Sequence, residues 1–307
     1  MTVEVTGRRE LRFEDGTPVR SASAVARLGG GWLVAQDDAT SGAWLPTRDA
    51  VTAVRLRLLP PVDGDDVFSE AAGTKRSKPD LESAVELPPA SGNGVLLLGS
   101  GSLPNRRRGV VVTPRDGGAD VAAADLGPLY AAVSAALDLP PGECNLEGAC
   151  LAGGSLRWFQ RGRGAEVPSA SVDVALDALL AVFDGRAEAG EVPLGRVHAY
   201  DLGRHGDAVW AVTDAVALAD DRILVSASAE DTDDPVADGP VSGSAVALLA
   251  GAAVAGVAAI PASDDEVLKL EGIAVVAAHA GGAVLLGVVD QDDPTVPSVA
   301  LDLAVAW

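Results

Sequence analysis

The sequence has few aromatic residues, very few cysteines and no surplus of positive charge. Aromatic side chains make up 4% of its 307 residues, so its core has to be built mainly from small and aliphatic side chains. Two cysteines, Cys144 and Cys150, are too few for a disulfide framework. The three histidines are scattered and no Cys-x-x-Cys pair is present, so the common zinc motifs are absent.

Charge and hydropathy disfavour further classes of protein. The formal net charge is −21, which opposes binding to the polyanionic backbone of nucleic acids or to an anionic membrane surface. Residues 1–20 lack the basic start and apolar run of a secretory signal. The apolar stretch 241–260 is interrupted by Ser242, Gly243 and Gly251, which argues against a membrane span. We therefore expect a cytoplasmic, monomeric protein without an organic cofactor.

What the sequence does contain is an internal repeat. A unit recurs about every 60 residues, with a polar head residue, a few small or apolar residues, a turn and a β-rich run. Four of the heads are acidic, and a weaker first copy begins with serine. In chain order, the heads are Ser23, Glu82, Glu147, Asp214 and Glu271. Each unit continues with a loop and a further apolar run, such as 109–113 in the second unit.

This repeat predicts an all-β fold, a β-propeller with about five four-stranded antiparallel blades in a single domain, residues 1–307. The opening strand, 2–13, is expected to lie beside 299–307 and to complete the last blade. Apolar residues at helical spacing over 125–137, and a second such stretch at 176–183, predict short helical insertions. A degenerate sixth blade between residues 113 and 143 is the alternative.

Strand geometry places the polar residues of the repeat at one end of the central channel. The first two strands of a blade form an antiparallel hairpin, so the start of one and the end of the other lie together. The heads and the loops after the second strands should therefore share one face. Three of these loops are acidic: 36–40, 230–235 and 290–294. Two are rich in arginine: 105–108 and 160–163. The sequence thus predicts a rim with an acidic arc and a basic arc.

Such a rim suits a metal-assisted hydrolase acting on an ester, lactone or phosphoester. Carboxylates from several strands can supply the six to eight oxygens that Ca²⁺ takes, and a bound metal ion activates water. The candidate metal ligands are Glu82, Glu147, Asp214, Glu271, Asp231 and Asp290. The first four are also the candidate catalytic acids and bases, because crowded carboxylates shift one another's pKa values.

The arginine loops predict an anionic ligand. Arginine presents a planar fork that matches carboxylate or phosphate groups. The candidate ligand-binding residues are Arg107, Arg108, Arg161 and Arg163. A small anionic molecule is therefore the expected binding partner.

A structural interpretation of the same residues stays open. The acidic heads would then accept hydrogen bonds from strand amides and fix the registration of the blades, and the arginines would form ion pairs with the acidic loops. Under this interpretation the protein is a non-catalytic propeller that binds a small anionic ligand or a protein partner on the same face.

Three short segments resemble a known group of propellers. Asn145–Ala149 and Lys269–Val275 resemble the Glu-Gly blade starts of phytase-like or esterase-like propellers, and Asp290–Asp293 is similar to a turn in their blades. The segments 98–109 and 229–244 resemble an uncharacterised bacterial family of phytase-like propeller proteins, and the resemblance covers most of 78–307. The resemblance implies that carboxylates at the channel hold calcium. The residues at the matching positions are Glu82, Glu147, Asp214 and Glu271. The first unit departs from the pattern because it has serine where an acid is expected.

Overall fold

The computed structural model describes residues 1–164, 167–230, 241–262 and 267–307. Five antiparallel sheets are arranged as a β-propeller with five blades and a few short helices. The predicted fold class is therefore confirmed. Residues 113–143, the candidate for a sixth blade, instead form the end of one strand, the last strand of blade two and a helix.

The first strand, β1, spans Thr2–Glu10. Blade one follows, with a short parallel strand at its outer edge: β2 (Arg12–Phe13), β3 (Ala22–Leu28), β4 (Gly31–Gln36), β5 (Ser41–Leu45) and β6 (Thr52–Arg57). Blade two comprises β7 (Leu81–Glu86), β8 (Val95–Gly99), β9 (Arg108–Arg115) and β10 (Gly118–Asp125). Blade three comprises β11 (Leu146–Ala152), β12 (Ser155–Gln160), β13 (Ser169–Val174) and β14 (Leu194–Tyr200).

The last two blades follow a small hairpin of two strands, β15 (Arg204–His205) and β16 (Ala208–Val209). Blade four comprises β17 (Ala211–Ala217), β18 (Arg222–Glu230), β19 (Val241–Ala250) and β20 (Ala253–Ala259). Blade five comprises β21 (Lys269–His279), β22 (Gly282–Asp290) and β23 (Val299–Ala306). Its fourth strand is β1, which pairs antiparallel with β23 from Thr2 opposite Ala306 to Glu10 opposite Val299. Hydrogen bonds between the two ends of the described chain therefore close the ring.

The helices lie between blades two and three. Helix α1 spans Gly127–Ala136 and helix α2 spans Leu176–Phe183, within the two stretches predicted from helical spacing. Both bury apolar side chains, such as Tyr130 and Leu179, in the core shared by these blades. Among the described residues, short 3-10 turns are also present at 75–77, 89–91, 104–106 and 189–191. No helix in the described ranges is long and apolar enough to cross a membrane.

The hydrophobic core is divided into five clusters, and each cluster lies between two neighbouring blades. The cluster between blades one and two, for example, packs Ala24, Ala26 and Leu33 against Leu97 and Val110. Small side chains let the faces of neighbouring sheets approach closely around the axis. This packing explains how a chain with so few aromatic residues can bury a large core.

The inner strands β3, β7, β11, β17 and β21 contact one another in turn around the axis. Glycine is required where two of them approach most closely. A Cβ atom on Gly148 would lie 2.9 Å from the backbone of Asp214, and one on Gly272 would lie 2.6 Å from the Cα atom of Ala24. The glycine of each Glu-Gly pair thus serves the packing of blades.

Candidate functional site

All five inner strands carry a β-bulge at the same place, close to the start of the strand. The residues before and after the bulge pair with the second strand of the blade, and one residue between them is skipped. The skipped residues are Ser23, Glu82, Glu147, Thr213 and Glu271. Three carboxyl groups and two hydroxyl groups therefore occupy equivalent positions around one end of the channel.

In blade four the bulged residue is Thr213, and Asp214 lies one residue further along the strand. Asp214 is fully buried. Its carboxylate accepts hydrogen bonds from the backbone amides of Ile273 and Ala215, both at 2.8 Å. Burial raises the pKa of Asp214 well above its usual range. In these contacts, Asp214 joins blade four to blade five.

The two hydroxyl groups also link neighbouring blades. The Oγ atom of Ser23 donates a hydrogen bond to the carbonyl oxygen of Leu81 at 2.5 Å. The Oγ1 atom of Thr213 donates one to the carbonyl oxygen of Leu270 at 2.9 Å. In both cases the acceptor is the residue immediately before the bulged glutamate of the next blade. These two hydroxyls therefore help to fix the glutamates of blades two and five.

Glu147 is the centre of an ion-pair group that spans blades three and four. Arg161 Nη1 lies 3.0 Å from Glu147 Oε1, and Arg161 Nη2 lies 2.6 Å from Glu230 Oε1. Asn145 donates a further hydrogen bond to Glu147 at 2.7 Å. Burial raises the pKa of Glu147 to about 8, although the nearby Arg161 guanidinium lowers it. Burial and the Arg161 guanidinium thus shift the protonation of Glu147 in opposite directions.

A second ion-pair group joins blades one and two. The ammonium group of Lys78 contacts Asp37 and lies 2.7 Å from Asp80 Oδ1. Arg106 Nη1 lies 3.0 Å from Asp80 Oδ2. Burial acts to raise the pKa of Asp80, but Lys78 and Arg106 together lower it below its usual value. Two cations thus hold Asp80 in its charged form although it is only 3% exposed.

Glu82 lies beside this second group. One carboxylate oxygen from each of Asp37, Asp80 and Glu82 can be chosen so that all three lie within 4.8 Å of one another, which is a spacing that suits a metal ion. Within the described ranges, the Glu82 side chain forms no hydrogen bond or ion pair. Burial, followed by the charges of Asp80 and Asp37, raises the pKa of Glu82 well above its usual value. A cation beside Glu82 would favour its ionised form.

The charged groups of blade five complete the ring. Lys269 Nζ lies 2.9 Å from Asp292 Oδ1 and 3.4 Å from Glu271 Oε1. Burial raises the pKa of Asp290 well above its usual value, with Lys269 acting in the opposite direction. The charge of Asp37 in blade one also raises the pKa of Asp290, so blades five and one are electrostatically coupled.

The arginines of the sequence-predicted basic arc have different surroundings. Arg161 reaches the channel carboxylates of two blades. Arg107 and Arg108 donate to carbonyl oxygens of their own loop, at 3.3 Å to Gly101 and 2.8 Å to Asn105. Arg163 forms an ion pair with Glu143. The candidate metal ligand Asp231 lies outside the described residues.

Several residues of the site were not singled out by sequence reasoning. They are Lys78, Asp80 and Lys269, whereas Asp37 and Arg106 lie in the loops 36–40 and 105–108 that sequence reasoning placed on the rim. A closer comparison of the repeats would have shown two of them, because Asp80 and Lys269 both stand two residues before a bulged glutamate. Lys78 has no such signal, since it lies in the loop between β6 and β7, outside the repeated strands.

The model of a protein family described as "Family of unknown function (DUF6910)" matches residues 74–294. The chain belongs to this family. The DUF6910 match covers most of blades two to five and includes all three bulged glutamates. A comparison with curated proteins gives no match.

Two solved structures are similar to this DUF6910 chain along most of their length, at low sequence identity. Glutaminyl cyclase of Myxococcus xanthus has a TM-score of 0.52 and 10% sequence identity, and the match covers 100% of this chain and 98% of that chain. A hypothetical protein from Leishmania major has a TM-score of 0.50 and 12% identity, with 99% of this chain and 91% of that chain covered. At these identities the likeness concerns the fold alone.

Proposed function

We propose that this propeller binds a divalent cation, calcium in particular, at the mouth of its channel and hydrolyses an ester, lactone or phosphoester there. The observation that carries the proposal is the close approach of Asp37, Asp80 and Glu82, whose oxygens lie within 4.8 Å of one another. Carboxylate oxygens are the ligands that calcium prefers. The resemblance of 269–275 to the blade starts of phytase-like propellers gives further support.

The charge balance of the rim supports a cationic occupant. Lys78 contacts Asp37 and Asp80, and Arg106 contacts Asp80, whereas Glu82 forms no ion pair in the described part of the chain. Binding of a divalent ion would ionise Glu82 and compete with Lys78 for the two aspartates. Because a cation binds the deprotonated carboxyl group, its affinity should rise with pH.

The remaining side chains suit acid–base chemistry beside such an ion. Calcium, when bound, would hold and polarise an oxygen of the substrate. Glu147 has a pKa of about 8 and can therefore donate a proton to a leaving group at neutral pH. Arg161 orients Glu147, because its guanidinium contacts both oxygens at 3.0 Å. A small anionic substrate would be drawn by the metal ion rather than by Arg107 or Arg108, which are bound to their own loop.

Metal analysis and thermal melting test this proposal. Calcium should raise the melting temperature of the wild-type protein relative to a chelator, because a ligand of the folded state stabilises it. Glu82→Gln should abolish the shift, whereas the matched control Glu86→Gln, at the other end of the same strand, should keep it. A panel of chromogenic esters, lactones and phosphoesters, assayed with calcium and with chelator, tests the hydrolysis. An unshifted melt with no metal bound would contradict the proposal.

Non-catalytic binding on the same face is the second candidate function. It is favoured by Lys78, because an ammonium group between Asp37 and Asp80 can neutralise these carboxylates without a metal ion. The absence of turnover of every substrate in the panel, both with calcium and with chelator, would favour this candidate. Calcium-dependent turnover that is lost in Glu82→Gln and kept in Glu86→Gln would favour the hydrolase.

A further inference from the structure

A cavity of about 560 Å³ lies on the outer side of the propeller, at the outermost strand of a blade and away from the channel. It is formed where helix α2 faces the outermost strand of blade two, β10. Its volume falls within the range of about 300–1,000 Å³ that is typical of small-molecule sites. Nothing in the proposed chemistry of the channel mouth uses this cavity.

One side of the cavity wall is apolar and held in place by packing. Helix α2 buries Leu176 and Leu179 in the core between blades two and three. Its half-buried side chains Leu180 and Phe183 line the cavity opposite Val121 of β10. The ring of Phe183 also packs closely over Gly109, where a Cβ atom would lie 2.7 Å from Phe183 Cζ. The aromatic side of the cavity is therefore preformed.

The rim of the cavity carries three aspartates and one arginine, Arg186, and one of the aspartates takes part in no ion pair within the described ranges. Asp120 pairs with Arg115 at 2.8 Å, and Asp184 pairs with Arg186 at 2.5 Å. Asp177 lines the same cavity, and across the described ranges it takes part in no ion pair. An apolar wall beside an unpaired carboxylate is complementary to an apolar body that carries one positive charge.

We propose that this cavity binds a small amphiphilic cation, an ammonium group on an aliphatic or aromatic body. The body packs against Leu180, Phe183 and Val121, and the ammonium group lies at Asp177. Phe183 adds a cation–π contact if the charge lies over its ring. The net charge of −21 disfavours an anionic ligand of the same shape.

Three probes share a phenyl ring on a short alkyl chain and differ in the charge of their end group: 4-phenylbutylamine, 4-phenylbutanol and 4-phenylbutyrate. Comparing their affinities separates the contribution of charge from that of apolar burial. Binding is measured by calorimetry and by the methyl NMR shifts of Val121 and Leu180. The amine should bind about two- to five-fold more tightly than the alcohol, which is what an exposed ion pair contributes, and the carboxylate should bind most weakly. Equal affinity for the amine and the carboxylate, or no saturable binding of the amine, would overturn the proposal.

Variants locate the site. Ala122→Trp fills the cavity from β10, and Ala123→Trp is its matched control, because Ala123 is the next residue on the same exposed strand and does not line the cavity. Binding of the amine should be lost in Ala122→Trp and kept in Ala123→Trp. Asp177→Asn should weaken binding of the amine about two- to five-fold and leave binding of the alcohol unchanged. An equal loss for both probes would show that Asp177 acts only on the helix, in whose first turn it stands, and would overturn the assignment of the ammonium site.

Discussion

The carboxylate of Asp214 accepts a hydrogen bond from the backbone amide of Ile273 at 2.8 Å, and this contact joins blade four to blade five. The second carboxylate oxygen accepts the amide of Ala215, also at 2.8 Å. Both donors therefore depend on one fully buried side chain. A single carboxyl group thus links two blades through a backbone amide.

Asp214→Asn should destabilise the protein by about 1–3 kcal/mol. Asparagine offers one acceptor oxygen where the carboxylate offers two, so one of the two amides loses its partner inside the core. Guanidinium denaturation measures the change. Asp207→Asn, at an exposed residue of the β15–β16 hairpin, is the control. Equal unfolding midpoints for the two variants would show that Asp214 contributes no such link.

Gly272→Ala should be strongly destabilising, because its Cβ atom would lie 2.6 Å from the Cα atom of Ala24 in the neighbouring blade. Backbone atoms cannot move aside as a flexible side chain can, so the blades must shift at a cost of about 1–3 kcal/mol or more. Gly118→Ala is the matched control in a strand, since nothing lies within 4 Å of its Cβ position. Thermal melting should separate the two variants clearly, and a normal melt for Gly272→Ala would contradict the close approach.

Arg161→Met should cost about 3–5 kcal/mol of stability, because it leaves Glu147 and Glu230 buried without their cation. Arg186→Met breaks an exposed pair with Asp184 and should change stability by about 0–1 kcal/mol.

The pKa of Glu147 should also rise in Arg161→Met, because the guanidinium lowers it in the wild-type protein. Carboxyl NMR titration measures this shift, and an unchanged pKa would argue against the contact.

Asp38 should make the stability depend on pH between about 4 and about 6. Burial, followed by the charge of Asp37, raises its pKa to about 6, against about 3.9 in an unfolded chain. Between these values the unfolded state has released the proton that the folded state still holds, so the Asp38 contribution to stability falls as pH rises. Asp38→Asn removes this dependence. The free energy of unfolding of the variant should therefore rise relative to that of the wild type, by up to about 3 kcal/mol between pH of about 4 and about 6.

The control is Asp66→Asn, because the contribution of Asp66 to stability should change with pH in the opposite direction. The hydrogen bond from Arg57 lowers the pKa of Asp66 to about 2, so its contribution is present at neutral pH and is lost on acidification. Urea denaturation at several pH values measures both variants. If the free-energy difference between Asp38→Asn and wild type stays flat from pH 4 to 6, Asp38 does not titrate as described.

The bulges show why sequence reasoning could locate the heads of the repeat only to within one residue. In blades two, three and five the acidic head is the bulged residue, Glu82, Glu147 or Glu271. In blade four the acidic residue and the bulged residue differ, because Thr213 is skipped and Asp214 follows it. A bulge inserts one residue without changing the apolar pattern on either side, so spacing alone cannot reveal which residue is extruded.

The sequence by itself determined the blade plan of this protein. The repeat of apolar runs and turns specifies short antiparallel strands, because alternation and turn residues act locally, and helical spacing marked the segments that became α1 and α2. The partners of the charged residues were decided only by the tertiary structure. Lys78 meets Asp37, and Arg161 meets Glu230, across boundaries between blades. Such pairs depend on the angle at which neighbouring sheets pack around the axis, and ring closure fixes that angle for all five blades together.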